Sequence, residues 1–247
     1  MTKIALINNK LRPLLLPLIG AALLASCSSG PPPPDWQANS QSSMERSINA
    51  YLSGNAKIDT LEFNRAKSEI ARTGRADLMA RIELMHCASR VASLAAEQEE
   101  KKEGKKEGDC DGFEKLRPDA ALAERAYADF LAGKFPIAAA ALLPAQQHAL
   151  ALATTDKAAF EALQAITDPL SKMVAAGVIF RRSQASPAVI AMAVETASAQ
   201  GWRRPLLAWL GVQRARAEKA GDQPEVARLQ RRMALIENAA VAPPQAP

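Results

Sequence analysis

The chain has 247 residues, 31 basic and 26 acidic, of which 48% are hydrophobic, 4% aromatic and 12 are glycine. Lys3, Lys10 and Arg12 sit at the extreme N-terminus, so the remainder stands near neutrality, at 28 basic against 26 acidic residues. That balance argues against nucleic acid as a partner, because phosphate binding needs a concentrated positive surface. Abundant alanine, sparse glycine and the lack of any sustained apolar–polar alternation argue for helices and against strands.

The first 26 residues combine a basic start with an apolar run that ends in Leu24-Ala25-Ser26-Cys27. About a dozen apolar residues make a helix of about 18 Å, short of the roughly 30 Å hydrocarbon core, so the run is not expected to span a bilayer. Pro17 and Gly20 weaken such a helix further. Leu24-Ala25-Ser26-Cys27 resembles the lipobox of bacterial lipoproteins. The resemblance implies removal of residues 1–26 as a signal peptide, acylation of Cys27, and attachment to the membrane through that lipid. Ser28, where an Asp would favour the inner membrane, implies the outer membrane and a body facing the periplasm.

Residues 27–36 continue as a tether in which Pro31 to Pro34 favour a stiff polyproline rod. A helical domain is expected over 37–238. Its first helix covers about 37–52, with Met44, Ile48, Tyr51 and Leu52 on one stripe and Gly54 as the stop. The second starts near Asp59, with Asp59 and Glu62 at capping-box spacing, and ends at Gly74. A third, about 75–97, is apolar on two sides: Leu84, Cys87, Ala88, Val91 and Leu94 on one, Leu78, Ile82 and Met85 on another. A helix with two apolar faces belongs at the centre of a bundle. Residues 97–112 carry ten charged side chains before Cys110 and read as a surface loop.

Helices resume near Asp119, where Ala123, Tyr127, Phe130 and Leu131 form a stripe closed by Gly133. Pro144 interrupts the alanine-rich segment 137–153, and Asp156 opens the next helix. Asp168-Pro169 and Ser186-Pro187 each place a cap before a proline at the first helical position. A last pair covers 206–220 and 222–238, with Asp222 and Glu225 as a second capping box, before a Pro-Ala tail at 239–247. The expected fold is all-α, an antiparallel helix array. The segment 220–227, Ala-Gly-Asp-Gln-Pro-Glu-Val-Ala, with Ala234 beyond it, resembles the turn and second helix of a tetratricopeptide repeat. Leu131 to Phe135 with Ala138 and Ala145 does so too. The array is therefore either an irregular bundle or a divergent tetratricopeptide-like solenoid.

With Cys27 acylated, Cys87 and Cys110 remain, and in an oxidising compartment they are expected to pair. Closing about 24 residues stabilises by about 3 kcal/mol on the chain-entropy model. His86, Cys87, Asp109 and Cys110 do not make a metal site, because neighbours on a helix point about 100° apart. No nucleophile motif accompanies His86 or His148, the two histidines, so no catalytic residue or cofactor is assigned. A glycan-cleaving pair would take the form of two carboxylates on different helices, with Glu124 and Asp129 as arbitrary candidates. Trp202, Arg203, Arg204, Arg214 and Arg216 form a candidate contact surface, since Trp and Arg dominate interface anchors. Trp209 shares a register with Leu206 and Leu210 and is expected in the core, whereas Trp202 is expected to be exposed. Between Arg181 and Glu237 ten basic residues face five acidic ones, a locally basic third.

These readings converge on a lipid-anchored helical adaptor that holds partner proteins in the cell envelope. The alternative is a binding module for an anionic or polymeric envelope ligand, such as peptidoglycan or lipid, through the basic third. A cell-wall hydrolase is the third reading.

Overall fold

The computed structural model describes residues 34–95 and 110–239. The expected signal peptide, Cys27, most of the expected tether, the charged segment 97–109 and the tail from 240 onward lie outside the described residues. Every regular element among the described residues is helical. The α-helices are α1 (Asp35–Leu52), α2 (Ala56–Ala71), α3 (Ala76–Ala92), the single turn α4 (Asp111–Glu114), α5 (Leu122–Leu131), α6 (Ala145–Leu152) and α7 (Asp156–Ala165). They continue with α8 (Pro169–Arg181), α9 (Pro187–Ala199), α10 (Arg203–Ala220) and α11 (Gln223–Asn238). Short 3-10 turns occupy Arg117–Asp119 and Ile137–Leu142. No described helix is long and apolar enough to cross a membrane.

Local chemistry sets most of the boundaries. Asp168 and Ser186 accept from the backbone N–H of Ser171 (2.7 Å) and Val189 (3.3 Å), each with a proline in the first turn behind it. Gly54, Gly133 and Gly221 end α1, α5 and α10 at positive φ, where a side chain would be strained. The starts of α1 and α2 shift from those expected. α1 already includes Asp35 and Trp36, which therefore do not belong to the tether. α7 opens at Asp156 as expected, capped by the Thr155 hydroxyl. Asn55 caps α2 by accepting from Ile58, so Asp59 and Glu62 are no capping box but lie buried in the helix interior. The second expected box is half formed: Asp222 accepts from Glu225 N–H, while the Glu225 carboxylate goes to Arg228 instead of back to the cap.

Two apolar clusters make the core. The smaller joins α1 and α2 through Met44, Ile48, Tyr51, Leu52, Ala66 and Ile70, and takes Ile82 from α3. The larger runs from the other face of α3, with Leu84, Cys87, Ala88 and Val91, through α8 to Leu229 of α11. α3 therefore serves both, as its two apolar stripes predict, although Met85 from the second stripe stays 40% exposed. α8 is the second central element, buried continuously from Met173 to Ile179. Where α3 crosses it, Gly177 meets Val91 so closely that a Cβ there would overlap the Val91 carbonyl. α3 also contacts α1, α2, α4, α5 and α8, and its contact with α8 joins elements distant in the chain.

Candidate functional site

The disulfide between Cys87 and Cys110 is formed, with Cα atoms 5.0 Å apart, and it fastens α4 onto α3. Its position matters because α3, in the turns just N-terminal to Cys87, forms one wall of a cleft. Arg81, Leu84 and Met85 of α3 face Ala123, Glu124 and Tyr127 of α5 across a space of about 340 Å³, closed at one end by Leu142 to Pro144. Pro136 and Pro144 bracket the alanine-rich run and hold it as a 3-10 turn, and Pro144 keeps Leu143 extended (φ −82°, ψ 159°). That geometry buries Leu143 in the floor and leaves Leu142 43% exposed on the rim, opposite Met85.

The cleft has one charged corner. Arg81 donates to Glu124 Oε1 through Nη2 (2.7 Å) and Nε (3.2 Å). Glu124 Oε2 is buried and has no donor. Burial, with a smaller contribution from the Asp168 charge, pushes the Tyr127 hydroxyl well above the ordinary tyrosine range, so it stays protonated. The cleft thus offers an apolar floor, a neutral phenol and a carboxylate already paired with Arg81.

A second polar assembly lies inside the α1–α2–α3 corner. Ser47 Oγ donates to Asp59 Oδ1 at 2.7 Å, and His86 Nε2 donates to the same carboxylate at 3.2 Å. His86 stacks on Phe63 with ring centroids 4.2 Å apart. These are the residue types of a hydrolytic triad in the wrong order: the carboxylate, not the imidazole, accepts the serine's hydrogen bond, and Ser47 is fully buried. The assembly ties three helices together. Beside it Glu62 holds Arg46 (3.0 Å) and Arg65 (2.8 Å), one guanidinium on each oxygen. Burial opposes its charge, but the Arg46 hydrogen bond and the charges of Arg46 and Arg65 outweigh that and hold its carboxyl below the usual range.

The five Trp and Arg candidates divide into two groups. Trp202, Arg203 and Arg204 open α10, while Arg214 and Arg216 lie about 16 Å further along it. Trp202 is half-buried, contrary to the expected exposure, because the turn at Gly201 folds its ring against both core clusters. Arg204 lies over the Tyr51 ring at 4.4 Å and donates to the Tyr51 carbonyl at 2.8 Å, while Arg203 lies against Gly54. Arg216 donates to the Ala185 carbonyl and Arg214 faces Glu218 at 3.3 Å. Trp209 is in the core as expected, its Nε1 donating to the Ala92 carbonyl at 3.0 Å.

The remaining sequence candidates stand apart. Asp129 pairs with Arg117 (3.0 Å) while Glu124 pairs with Arg81, so the two carboxylates do different work. Among the described residues no three His, Cys, Asp or Glu side chains gather as a metal site would require. A further groove of about 480 Å³ between α9, α10 and α11 is lined by Glu195, Ser198, Gln213, Arg228 and Arg232. Neither groove was visible in the sequence, where Met85 reads as part of a buried apolar stripe and only the two prolines around 137–143 mark a break. Compared with models of known protein families, with curated proteins and with solved structures, the chain matches none of them.

Proposed function

We propose that the chain is a lipid-anchored, periplasm-facing helical adaptor of the bacterial envelope that docks a partner protein in the α3–α5 cleft, with Cys27 as its lipid attachment. The observation that carries the docking reading is the cleft itself, an apolar floor left open between Met85 and Leu142 with a buried acceptor at its corner. Methionine at such a rim adapts to the shape it meets, and an apolar centre with a polar edge is the anatomy of a protein contact. Anchoring is supported by the lipobox-like Leu24 to Cys27.

In-cell chemical crosslinking with mass spectrometry tests the docking. A protein crosslinked beside the cleft in the wild type should disappear in Met85→Asp, and the absence of any such protein in the wild type would reject the adaptor. Cys27→Ala tests the anchor independently, since the variant should leave the envelope fraction and wash free. The second reading, a module for an anionic envelope ligand, draws on the α9–α11 groove, where Arg232 faces Ser198 at 3.4 Å and Gln213 Oε1 is buried without a donor. Arg228 in that groove is already held by Glu225 at 2.6 Å, which favours the first reading. Binding of the ionic kind would collapse in high salt, whereas binding in the apolar cleft would persist.

A further inference from the structure

We infer that Met85 is an oxidant-reactive modification site: a peroxide converts its thioether to the sulfoxide, and the altered rim releases the occupant of the α3–α5 cleft. The release rests on the docking reading above. Met85 is the one methionine among the described residues that is exposed, at 40%. Met44 and Met173 are fully buried, while Met79, Met192 and Met233 are partly buried and pack against the two core clusters. Oxidation of a thioether follows access to its sulfur, so these five are shielded to different degrees. Cys87 and Cys110 are already joined, so no free thiol among the described residues competes for the oxidant.

In the reaction a lone pair of the Met85 sulfur attacks one peroxide oxygen, the S–O bond forms and the O–O bond breaks. The departing oxygen takes the proton of the transferred one and leaves as water, so sulfur loses two electrons and the peroxide gains them. A flexible apolar side chain thereby becomes polar, and a thiol-dependent reductase can reverse the change. Its location gives the change a consequence. Met85 lines the cleft with Leu84, Leu142 and Leu143, aliphatic side chains that have no hydrogen to donate. Arg81, one turn earlier on the same face of α3, is held by Glu124 at 2.7 Å. Water solvates the sulfoxide oxygen of an open cleft, whereas an apolar occupant would bury it without a donor.

The test is a brief hydrogen peroxide pulse on cells carrying the full chain, quenched and followed by the in-cell crosslinking that tests the docking. Peptide mass spectrometry of the recovered chain reads the sulfoxide at each methionine. Met85 should oxidise about tenfold faster than Met44 and Met173, and ahead of Met79, Met192 and Met233. Oxidation of any of these at the Met85 rate would overturn the modification site. As the sulfoxide fraction at Met85 rises, the yield of the protein crosslinked beside the cleft should fall, by about tenfold at full conversion. In Met85→Leu, which has no sulfur at this position, the yield should not respond to the pulse, whatever its starting level. An unchanged yield in the oxidised wild type, or an equal fall in Met85→Leu, would overturn the release while leaving the docking reading intact. If no protein is crosslinked beside the cleft before the pulse, the docking reading fails and the release with it, and the oxidation rates alone decide the modification site.

Discussion

Side chains that reach across to the carbonyls at other helices' ends hold much of this molecule together. Trp209 takes the carbonyl of Ala92 at the end of α3, Arg181 that of Leu131 at the end of α5, and Arg204 that of Tyr51 near the end of α1. The last carbonyls of a helix have no partner within it and carry its negative dipole end, so a buried N–H or a guanidinium there satisfies both demands. Trp209→Phe keeps a ring in the core but removes the donor. We expect a loss of about 2–4 kcal/mol in urea unfolding, part from the unpaired Ala92 carbonyl and part from lost ring volume. The buried carboxylate at Glu62 leads to a pH effect. Its folded-state carboxyl is held below the ordinary value near 4.5, as is that of Glu114, where the Arg117 hydrogen bond is the main cause. Such groups add stability that is complete above the ordinary value and lost as pH falls through the lowered one, because the unfolded chain then binds more protons. Urea midpoints should thus hold between pH 7 and 5 and drop below about 4.5, less steeply in Glu62→Gln. An unchanged acid slope in that variant would remove Glu62 from the account.

Among the elements, α3 and α8 bear the packing, and Gly177 allows it. Inside a helix, glycine costs about 1 kcal/mol relative to alanine, so Gly177→Ala would stabilise an exposed helix. Here the added methyl would meet the Val91 backbone, which cannot rotate away. The expected result is a destabilisation of about 1–3 kcal/mol, seen as a lowered Tm with unchanged helicity. A neutral outcome would mean that α3 and α8 can slide apart without loss. Both central elements were marked in the sequence to different degrees. The two apolar stripes of α3 identify it directly, whereas α8 shows only an unbroken apolar run from Met173 to Phe180 that does not reveal its neighbours.

For the whole molecule, the Cys87–Cys110 bond is a covalent cross-link, additional to the backbone, between α3 and the residue that precedes α4. Reduction should lower global stability by about 3 kcal/mol on the chain-entropy model, and Cys110→Ala should reproduce the effect and be insensitive to reductant. Because the bond fastens α4 to α3, which also walls the α3–α5 cleft, reduction is expected to weaken the proposed docking more than it disturbs α9 to α11. Hydrogen exchange that rises in Ala76–Ala92 and Leu122–Leu131 and not in Pro187–Asn238 would bear this out, and a uniform rise would count against it.

The amino-acid order alone determined the helical class, most helix ends and the cysteine pairing. Caps, prolines and left-handed glycines act within a few residues, and once Cys27 is set aside two thiols leave a single choice. Asp59 and Glu62 mark where local reading stops. An Asp and a Glu three apart fit a helix start and a buried helix face equally well, and only the arrival of Arg46, Ser47 and His86 from other helices decides between them. The inward turn of Trp202, the need for glycine at 177 and the cleft between Met85 and Leu142 belong to the same class. Each is a relation between surfaces distant along the chain, and helical periodicity says which face is apolar without saying what it meets.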